Sequence, residues 1–339
     1  MRPLIIPIFI SHAGCPHRCL FCDQEKITAQ PRHVTDPQQV RETLDAAIQA
    51  KGFDPSRNTQ LAFYGGTFTG LKKVRMESLL SAAAPYVQSG MVKSIRISTR
   101  PDSLDEQRLR VLKAYGVKTV ELGVQSMNDR VLTLSRRGHT AGDTIAAVHM
   151  LKDHGFQVGI QLMPGLPGDS REEFLATTEK VLGLKPHMVR LYPALVIKGT
   201  GLARMYGEGS YHPFSLTEAV HVCVESVSLF EGNGIPVIRI GLMSSPSLLE
   251  KGRIVAGPWH PAFGFLVRSA IHFIGIASDL SVPGGAQLIK IYAPMREIPL
   301  VRGYQNRGIQ EIEQKTGAKV LGVLPDETVP PGRIRLEKI

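Results

Sequence analysis

Residues 4–22 read LIIPIFISHAGCPHRCLFC, an apolar segment followed at once by a short loop with three cysteines. The isoleucine-rich segment predicts a β-strand over Leu4–Ser11. Cys15, Cys19 and Cys22 then follow, with three residues in the first gap and two in the second. A strand that ends in a loop of reactive side chains is typical of folds that bind ligands at strand ends. A fold of this kind would repeat the same unit, a strand followed by a polar loop, along the rest of the chain.

Five more apolar segments fit the same unit, and helical periodicity separates each from the next. The predicted strands are Gln60–Tyr64, Ser94–Thr99, Lys118–Val124, Gln157–Leu162 and Met188–Tyr192. The predicted helices are Pro37–Ala50, Arg75–Val87, Leu104–Tyr115, Ala141–His154 and Arg171–Leu182. Helices of this length permit right-handed crossovers between parallel strands, and strands that are nearly all apolar are covered on both faces. The pattern predicts an α/β fold with a six-stranded parallel sheet, either a barrel or a doubly wound sheet.

The first five predicted strands are each followed by a motif rich in glycine, proline or polar residues. After the cysteine loop these motifs are Gly65-Gly66-Thr67-Phe68, Arg100-Pro101-Asp102, Gln125-Ser126 and Pro164-Gly165-Leu166-Pro167-Gly168. The carboxyl ends of parallel strands lie along one rim of the sheet. We therefore expect the five loops to form one ligand site.

The regular pattern ends after Pro193, and we place a domain boundary near Ser245. Residues 1–245 would form the larger domain and residues 246–339 a small α+β domain. A helix near Leu216–Phe230 and a strand at Ile235–Ile240 precede the boundary. The predicted elements of the small domain are the helices Pro261–Ile274 and Gly308–Thr316 and the strands Leu288–Ala293 and Lys319–Leu324.

The composition is that of a folded globular protein, with 43% apolar and 21% charged residues. The formal net charge of +10 favours anionic partners such as RNA. No stretch approaches the roughly 20 apolar residues that a membrane-spanning helix needs, so we expect a cytoplasmic protein and no membrane partner. Four cysteines, three of them crowded together, do not form a secreted disulfide framework. Cys223 stands in an apolar helical context and is expected to be buried.

The cysteine loop predicts a metal site. Three thiolates on so short a loop can ligate three irons of a cuboidal iron-sulfur cluster and leave the fourth iron open to a small molecule. The alternative is a zinc site completed by His12 or His17, because zinc also accepts cysteine and histidine ligands. Zinc sites usually join two close ligands to a distant pair, and no distant pair stands out here. The spacing favours the cluster over zinc.

The loop also resembles the signature of the radical S-adenosylmethionine superfamily, which has CxxxCxxC spacing and an aromatic residue, here Phe21, before the last cysteine. Further motifs resemble the radical domain of the Elongator catalytic subunit and, more distantly, oxygen-independent coproporphyrinogen oxidase. They are YGGTFT (64–69), TRPD (99–102), ELGVQS (121–126), RGHT (137–140) and MPGLPG (163–168). The resemblance implies a partial (β/α)6 barrel with a [4Fe-4S] cluster and S-adenosyl-L-methionine as cofactors. It also implies reductive cleavage of S-adenosylmethionine to a 5′-deoxyadenosyl radical.

The resemblance assigns roles to individual residues. It implies that Cys15, Cys19 and Cys22 hold the cluster. It implies a cofactor-binding set of Phe21, Gly65, Gly66, Thr67, Gln125, Gln161 and Tyr192. The Gly65-Gly66 backbone would receive the methionyl amino group, Gln125 the ribose or methionyl carboxylate, and the backbone at Tyr192 the adenine. Thr67 and Gln161 stand where relatives carry acidic residues. No residue is assigned a catalytic role.

Three other polar residues lie in these motifs without an assigned role. We expect Glu121 and Arg100 either to form an ion pair with each other or to face the substrate. His139 is expected to pack or cap rather than to act as an acid or base.

The partners implied by the resemblance are S-adenosylmethionine, an electron donor such as flavodoxin or ferredoxin, and RNA, with tRNA as the candidate substrate. No acetyl-coenzyme-binding loop is evident, so stand-alone members of the Elongator-like branch are the better match. The tail at residues 303–320 faintly resembles a KH domain, although an ordinary helix ending at Gly317 accounts for the same residues. Two other functions stay open: a non-catalytic iron-sulfur redox sensor or electron relay, and a zinc-containing RNA-binding module.

Overall fold

A computed structural model describes residues 3–16, 18–24, 35–280 and 287–339. The chain divides into two compact units. The first comprises residues 1–219 and 229–259, and the second comprises residues 220–228 and 260–339. No helix in the described ranges is long and apolar enough to cross a membrane.

The first unit is built on a seven-stranded parallel sheet in the order β1-β2-β3-β4-β5-β6-β8. The strands are β1 (Leu4–Phe9), β2 (Thr59–Tyr64), β3 (Ser94–Thr99), β4 (Val117–Gln125), β5 (Gln157–Leu162), β6 (Met188–Leu191) and β8 (Val237–Ile240). The helices up to residue 232 are α1 (Pro37–Gln49), α2 (Lys73–Gln88), α3 (Glu106–Ala114), α4 (Asp129–Leu134), α5 (Ala141–Asp153), α6 (Arg171–Leu184), α7 (Gly201–Gly207) and α8 (Leu216–Gly232). Because each strand is parallel to its neighbour, the loops after the strands share one rim.

Local sequence explains why these elements form. Leu61, Ala62 and Phe63 are fully buried in β2, as expected for a strand covered on both faces. Helix α5 begins with a capping box, in which the Thr140 side chain accepts from the Asp143 N–H and the Asp143 carboxylate accepts from the Thr140 N–H. The predicted α/β class with a parallel sheet is confirmed.

The sheet has one strand more than the predicted six. The apolar segment near residue 240 had been placed outside the regular pattern, yet β8 pairs in parallel with β6 at one end of the sheet. Two short helices, α4 and α7, were not predicted because six or seven residues are too few to show a period. Asn128 starts α4 by accepting hydrogen bonds from the backbone N–H groups of Arg130 and Val131.

Two strands of the first unit form a separate ribbon, β7 (Val196–Ile197) with β9 (Ile254–Ala256). They pair in the antiparallel direction. Neither strand was predicted from the sequence, because a strand of two or three residues carries no alternation to recognise.

The second unit contains a three-stranded sheet in the order β11-β10-β12. Its elements are α9 (Phe263–Gly275), β10 (Leu288–Ala293), α10 (Ile298–Arg302), α11 (Arg307–Thr316), β11 (Lys319–Pro325) and β12 (Arg335–Lys338). Ile289, Ile291 and Ile312 are fully buried in its core. Helix α11 ends at Gly317, which has a φ of 69° and donates its N–H to the Glu313 carbonyl. This geometry agrees with the ordinary capped helix.

Candidate functional site

A cavity of about 870 Å³ lies inside the first unit. Every site residue predicted from the sequence lines it. These residues are Cys15, Cys19, Phe21, Cys22, Gly65, Gly66, Thr67, Gln125, Gln161 and Tyr192. Residues separated by up to 177 positions along the chain therefore meet at one place because the strands that carry them are parallel.

The cysteine loop is held against the loop that follows β2. The Thr67 N–H donates to the Ala13 carbonyl at 2.8 Å, and the Cys15 Sγ lies 3.2 Å from the Thr67 Oγ1. At Gly14, φ is +74° and an added Cβ would overlap the Thr67 carbonyl oxygen. The loop can approach this closely only because residue 14 has no side chain.

The three thiols share a desolvated environment. Burial raises the pKa of Cys22 to about 12, and the nearby Cys19 and Cys15 raise it further. Burial also raises the pKa of Cys15, while its hydrogen bond with Thr67 acts in the opposite direction. The Arg137 Nη1 donates to the Cys19 Sγ at 3.1 Å. This hydrogen bond places a buried positive charge directly beside the sulfur of Cys19.

Gly66 occupies a backbone position that excludes any side chain. Its φ is +65°, and an added Cβ would lie 2.6 Å from the Ile10 carbonyl oxygen and closer still to that of Ala13. The Gly66 N–H donates to the Gln24 Oε1 at 2.8 Å. Gln24, which also lines the cavity, was not predicted from the sequence because no spacing rule marks it.

The predicted ribose-side residues touch each other. The Gln161 Nε2 lies 3.3 Å from the Gln125 Oε1, so the two amides form a pair across β4 and β5. Gln125 has a positive φ of 73°, an uncommon conformation for a residue with a side chain. Tyr192 follows β6, and its N–H donates to the Leu162 carbonyl.

The family model of the radical SAM superfamily matches residues 9–181, and that of the radical SAM C-terminal domain matches residues 186–272. The chain belongs to the radical SAM superfamily. Members of that superfamily are enzymes that bind a [4Fe-4S] cluster and S-adenosylmethionine, and these are its cofactors.

Two curated relatives and one solved structure show what this radical SAM chain is similar to. A tRNA uridine(34) acetyltransferase of Methanocaldococcus infernus is 29% identical over 255 residues, which is 64% of this chain and 48% of the relative. An uncharacterised protein of Methanocaldococcus jannaschii is 29% identical over 214 residues, 61% of this chain and 65% of the relative. A solved structure of archaeal Methanocaldococcus infernus Elp3 with an N-terminal deletion has a TM-score of 0.62 at 26% identity, covering 80% of this chain and 63% of the other. The chain spans about half the length of the acetyltransferases it matches.

The residues of this radical SAM cavity fit a cluster better than a single metal ion. Within the described ranges, no three His, Cys, Asp or Glu side chains are close enough to hold one ion. A cuboidal cluster places its thiolates on separate irons, so they need not converge on one point as zinc ligands do. The geometry therefore gives no support to zinc completed by His12, and His17 lies outside the described residues.

Deeper in the radical SAM barrel the cavity has a charged side, which we call the arginine wall: Arg96, Glu121, Arg190 and Arg239. The Glu121 Oε1 accepts from the Arg96 Nη1 at 2.5 Å and from the Arg190 Nη2 at 2.9 Å. The side chains of Arg96 and Glu121 are 5% and 7% exposed. Of the two alternatives left open for Glu121 and Arg100, the ion pair between them is not formed, because Arg100 is paired with Asp102 at 2.8 Å.

His139 is buried beside β4, close to the sulfur end of the cavity. Its Nε2 lies 3.2 Å from the Val124 carbonyl oxygen. Burial lowers the pKa of His139 to about 4, and the nearby Arg137 and Arg100 lower it further. The ring is therefore neutral at physiological pH and packs against the strand, in agreement with the prediction.

Proposed function

We propose that Cys15, Cys19 and Cys22 ligate the [4Fe-4S] cluster, that the chain cleaves S-adenosylmethionine reductively, and that its substrate is tRNA. The observation that carries the proposal is the single cavity lined by the three thiols and by the seven other predicted cofactor-binding residues. When bound, the cluster and S-adenosylmethionine supply an electron and a 5′-deoxyadenosyl radical that abstracts hydrogen from a substrate. The electron would come from a reduced flavodoxin or ferredoxin.

The side chains and backbone of this chain would orient the cofactor. Gly66 brings its backbone close to the cysteine loop, where a methionyl amino group would lie near the open iron. The paired amides of Gln125 and Gln161 offer both donors and acceptors for a ribose. Phe21 is 8% exposed and belongs to the same buried apolar cluster as Val131 and Leu166, which would keep water from the sulfur end.

Support for tRNA comes from the relatives and from charge. Three of the relatives are tRNA uridine(34) acetyltransferases, and the chain carries a formal net charge of +10. A basic protein attracts a polyanion over a long range.

The test is anaerobic reconstitution with iron and sulfide, reduction with dithionite, and measurement of 5′-deoxyadenosine formed from S-adenosylmethionine. We expect deoxyadenosine only in the clustered and reduced protein, and more of it when unmodified tRNA is added. A stable cluster that forms no deoxyadenosine with or without bulk RNA would contradict the proposal and favour the redox sensor or electron relay.

A further inference from the structure

The cavity has far more positive than negative charge in its lining. Among the described residues, its charged side chains are six arginines and one carboxylate: Arg18, Arg96, Arg100, Arg137, Arg190, Arg239 and Glu121. Arg100 is paired with Asp102, and Arg137 lies at the sulfur of Cys19. These two arginines therefore lie at the end of the cavity that contains the three thiols. The arginine wall has a separate excess of positive charge, because Arg96 and Arg190 share the single carboxylate of Glu121.

Arg239 adds to this excess. In the register of the sheet, Arg190 on β6 lies directly beside Arg239 on β8, and both side chains line the cavity. Neighbouring strands are about 4.8 Å apart. The Arg239 Nε donates to the Gly241 carbonyl, and no carboxylate of the described ranges is in ion-pair distance of its guanidinium. Arg190 is paired with Glu121, so Arg239 is the arginine of this register pair whose positive charge has no carboxylate partner among the described residues.

Two tyrosines add neutral donors at the same place. The Tyr64 hydroxyl accepts from the Arg190 Nη2 at 2.8 Å, and the Tyr192 hydroxyl accepts from the Arg190 Nη1 at 3.1 Å. Each hydroxyl keeps its own proton to donate. Burial raises the pKa of Tyr64 to about 12, with a further contribution from Glu121, so this proton is retained at physiological pH.

We infer that Arg190 and Arg239, with the hydroxyls of Tyr64 and Tyr192, form a subsite for a phosphate group of the substrate. A phosphate offers more acceptor oxygens than a carboxylate and accepts bidentate hydrogen bonds from guanidinium. The subsite lies in the same register row as Gln161, the neighbour of Arg190 on β5. A phosphate there would fix the substrate beside the ribose end of the predicted S-adenosylmethionine site.

The edge of the sheet next to Arg239 is accessible. Ile238 and Met243 line the same cavity and are 37% and 61% exposed. A ligand that enters along this edge would meet apolar side chains and the arginines of β6 and β8, which line the same cavity. A nucleotide, with an apolar base face and a phosphate, has that combination. The inference rests on the proposed function, because it assigns a substrate group to the same cavity.

The experiment measures the affinity of inorganic phosphate for the reconstituted, S-adenosylmethionine-loaded protein by calorimetry at constant ionic strength. We expect saturable binding that is about tenfold weaker in Arg239→Gln and weakened less in Arg239→Lys, since lysine keeps the charge without the fork. The matched control is Arg110→Gln on α3, whose side chain is 70% exposed and which should bind phosphate as the wild type does. Equal affinity in Arg239→Gln and wild type, or no binding by the wild type, would overturn the inference.

A second arm identifies the source of the phosphate. If it belongs to RNA, inorganic phosphate should compete with unmodified tRNA, and Arg239→Gln should weaken both. If only phosphate binding depends on Arg239, the subsite is confirmed and its ligand is a small phosphorylated molecule. Wild-type deoxyadenosine formation is measured separately. Failure of phosphate binding alone removes the subsite, whereas failure of deoxyadenosine formation removes the proposed function.

Discussion

The two ends of the cavity are built in different ways. At the sulfur end, Cys15, Cys19 and Cys22 lie on one short loop, and Gly66 lets the next loop approach it. The arginine wall takes its side chains from β3, β4, β6 and β8, so no short motif contains them. The first end is specified by local spacing and the second by the register of the sheet. The sequence therefore predicts the sulfur end of the cavity, but it does not predict which residues form the arginine wall.

The largest effect should follow from a change at the sulfur end. Cys19→Ala removes one of three proposed ligands, and we expect it to abolish cluster assembly after reconstitution. The control is Cys223→Ala, because Cys223 is fully buried and burial raises the pKa of its thiol. Iron and sulfide content and visible absorbance measure the result. A fully clustered Cys19→Ala protein, or loss of iron from Cys223→Ala, would break the assignment of the sulfur end.

A change in the arginine wall should lower the stability of the folded protein. Glu121→Gln leaves Arg96 and Arg190 without their shared carboxylate, and we expect the free energy of unfolding to fall by about 3–5 kcal/mol. The comparison is Glu77→Gln, which removes an exposed pair with Lys73 at 4.0 Å and should change stability by less than about 1 kcal/mol. Urea denaturation of both variants checks the difference. Similar small losses in the two would show that the wall is not a coupled network.

The glycine turn, Gly65-Gly66, follows β2 and lies against the start of the cysteine loop. Gly66→Ala combines a left-handed φ with overlap against two carbonyl oxygens, and we expect a loss of about 3 kcal/mol in the free energy of unfolding. Gly52→Ala has a φ of +93° and nothing within 4 Å of the added Cβ, so it should cost only about 1 kcal/mol. S-adenosylmethionine affinity should fall in the first variant alone. Unchanged affinity in Gly66→Ala would remove the turn from the site.

The loop after β5 contributes a smaller, pH-dependent effect. Burial raises the pKa of Asp169 from 3.8 to about 7, and its carboxylate accepts from the Gly165 N–H at 2.9 Å. The folded state binds the Asp169 proton more tightly than the unfolded chain does. The free energy of unfolding therefore falls as the pH rises from about 4 to about 7. We expect Asp169→Asn to gain about 2 kcal/mol relative to wild type between pH 4 and pH 8. Parallel stability curves for the two proteins would contradict this.

The sequence predicts much of this molecule where the signal is local. The bounds predicted for the strands Ser94–Thr99, Gln157–Leu162 and Leu288–Ala293 are confirmed, because apolar residues alternate with other residues along each of them. The position of β8 beside β6 was not predictable, since pairing between distant strands has no local signature. For the same reason the sequence does not predict Arg96 and Arg190 as the partners of Glu121. Arg100 lies in a neighbouring motif of the sequence, but its side chain pairs with Asp102. The side chains that pair with Glu121 are those of Arg96 and Arg190.

The central claim is that the three thiols hold a cluster whose open iron takes S-adenosylmethionine inside this cavity. Electron paramagnetic resonance of the reconstituted, dithionite-reduced protein, recorded with and without S-adenosylmethionine, tests it most directly. We predict a reduced-cluster signal that changes when S-adenosylmethionine is added, because the ligand binds the iron that lacks a thiolate. A cluster signal that is identical in the presence and absence of S-adenosylmethionine would contradict the account.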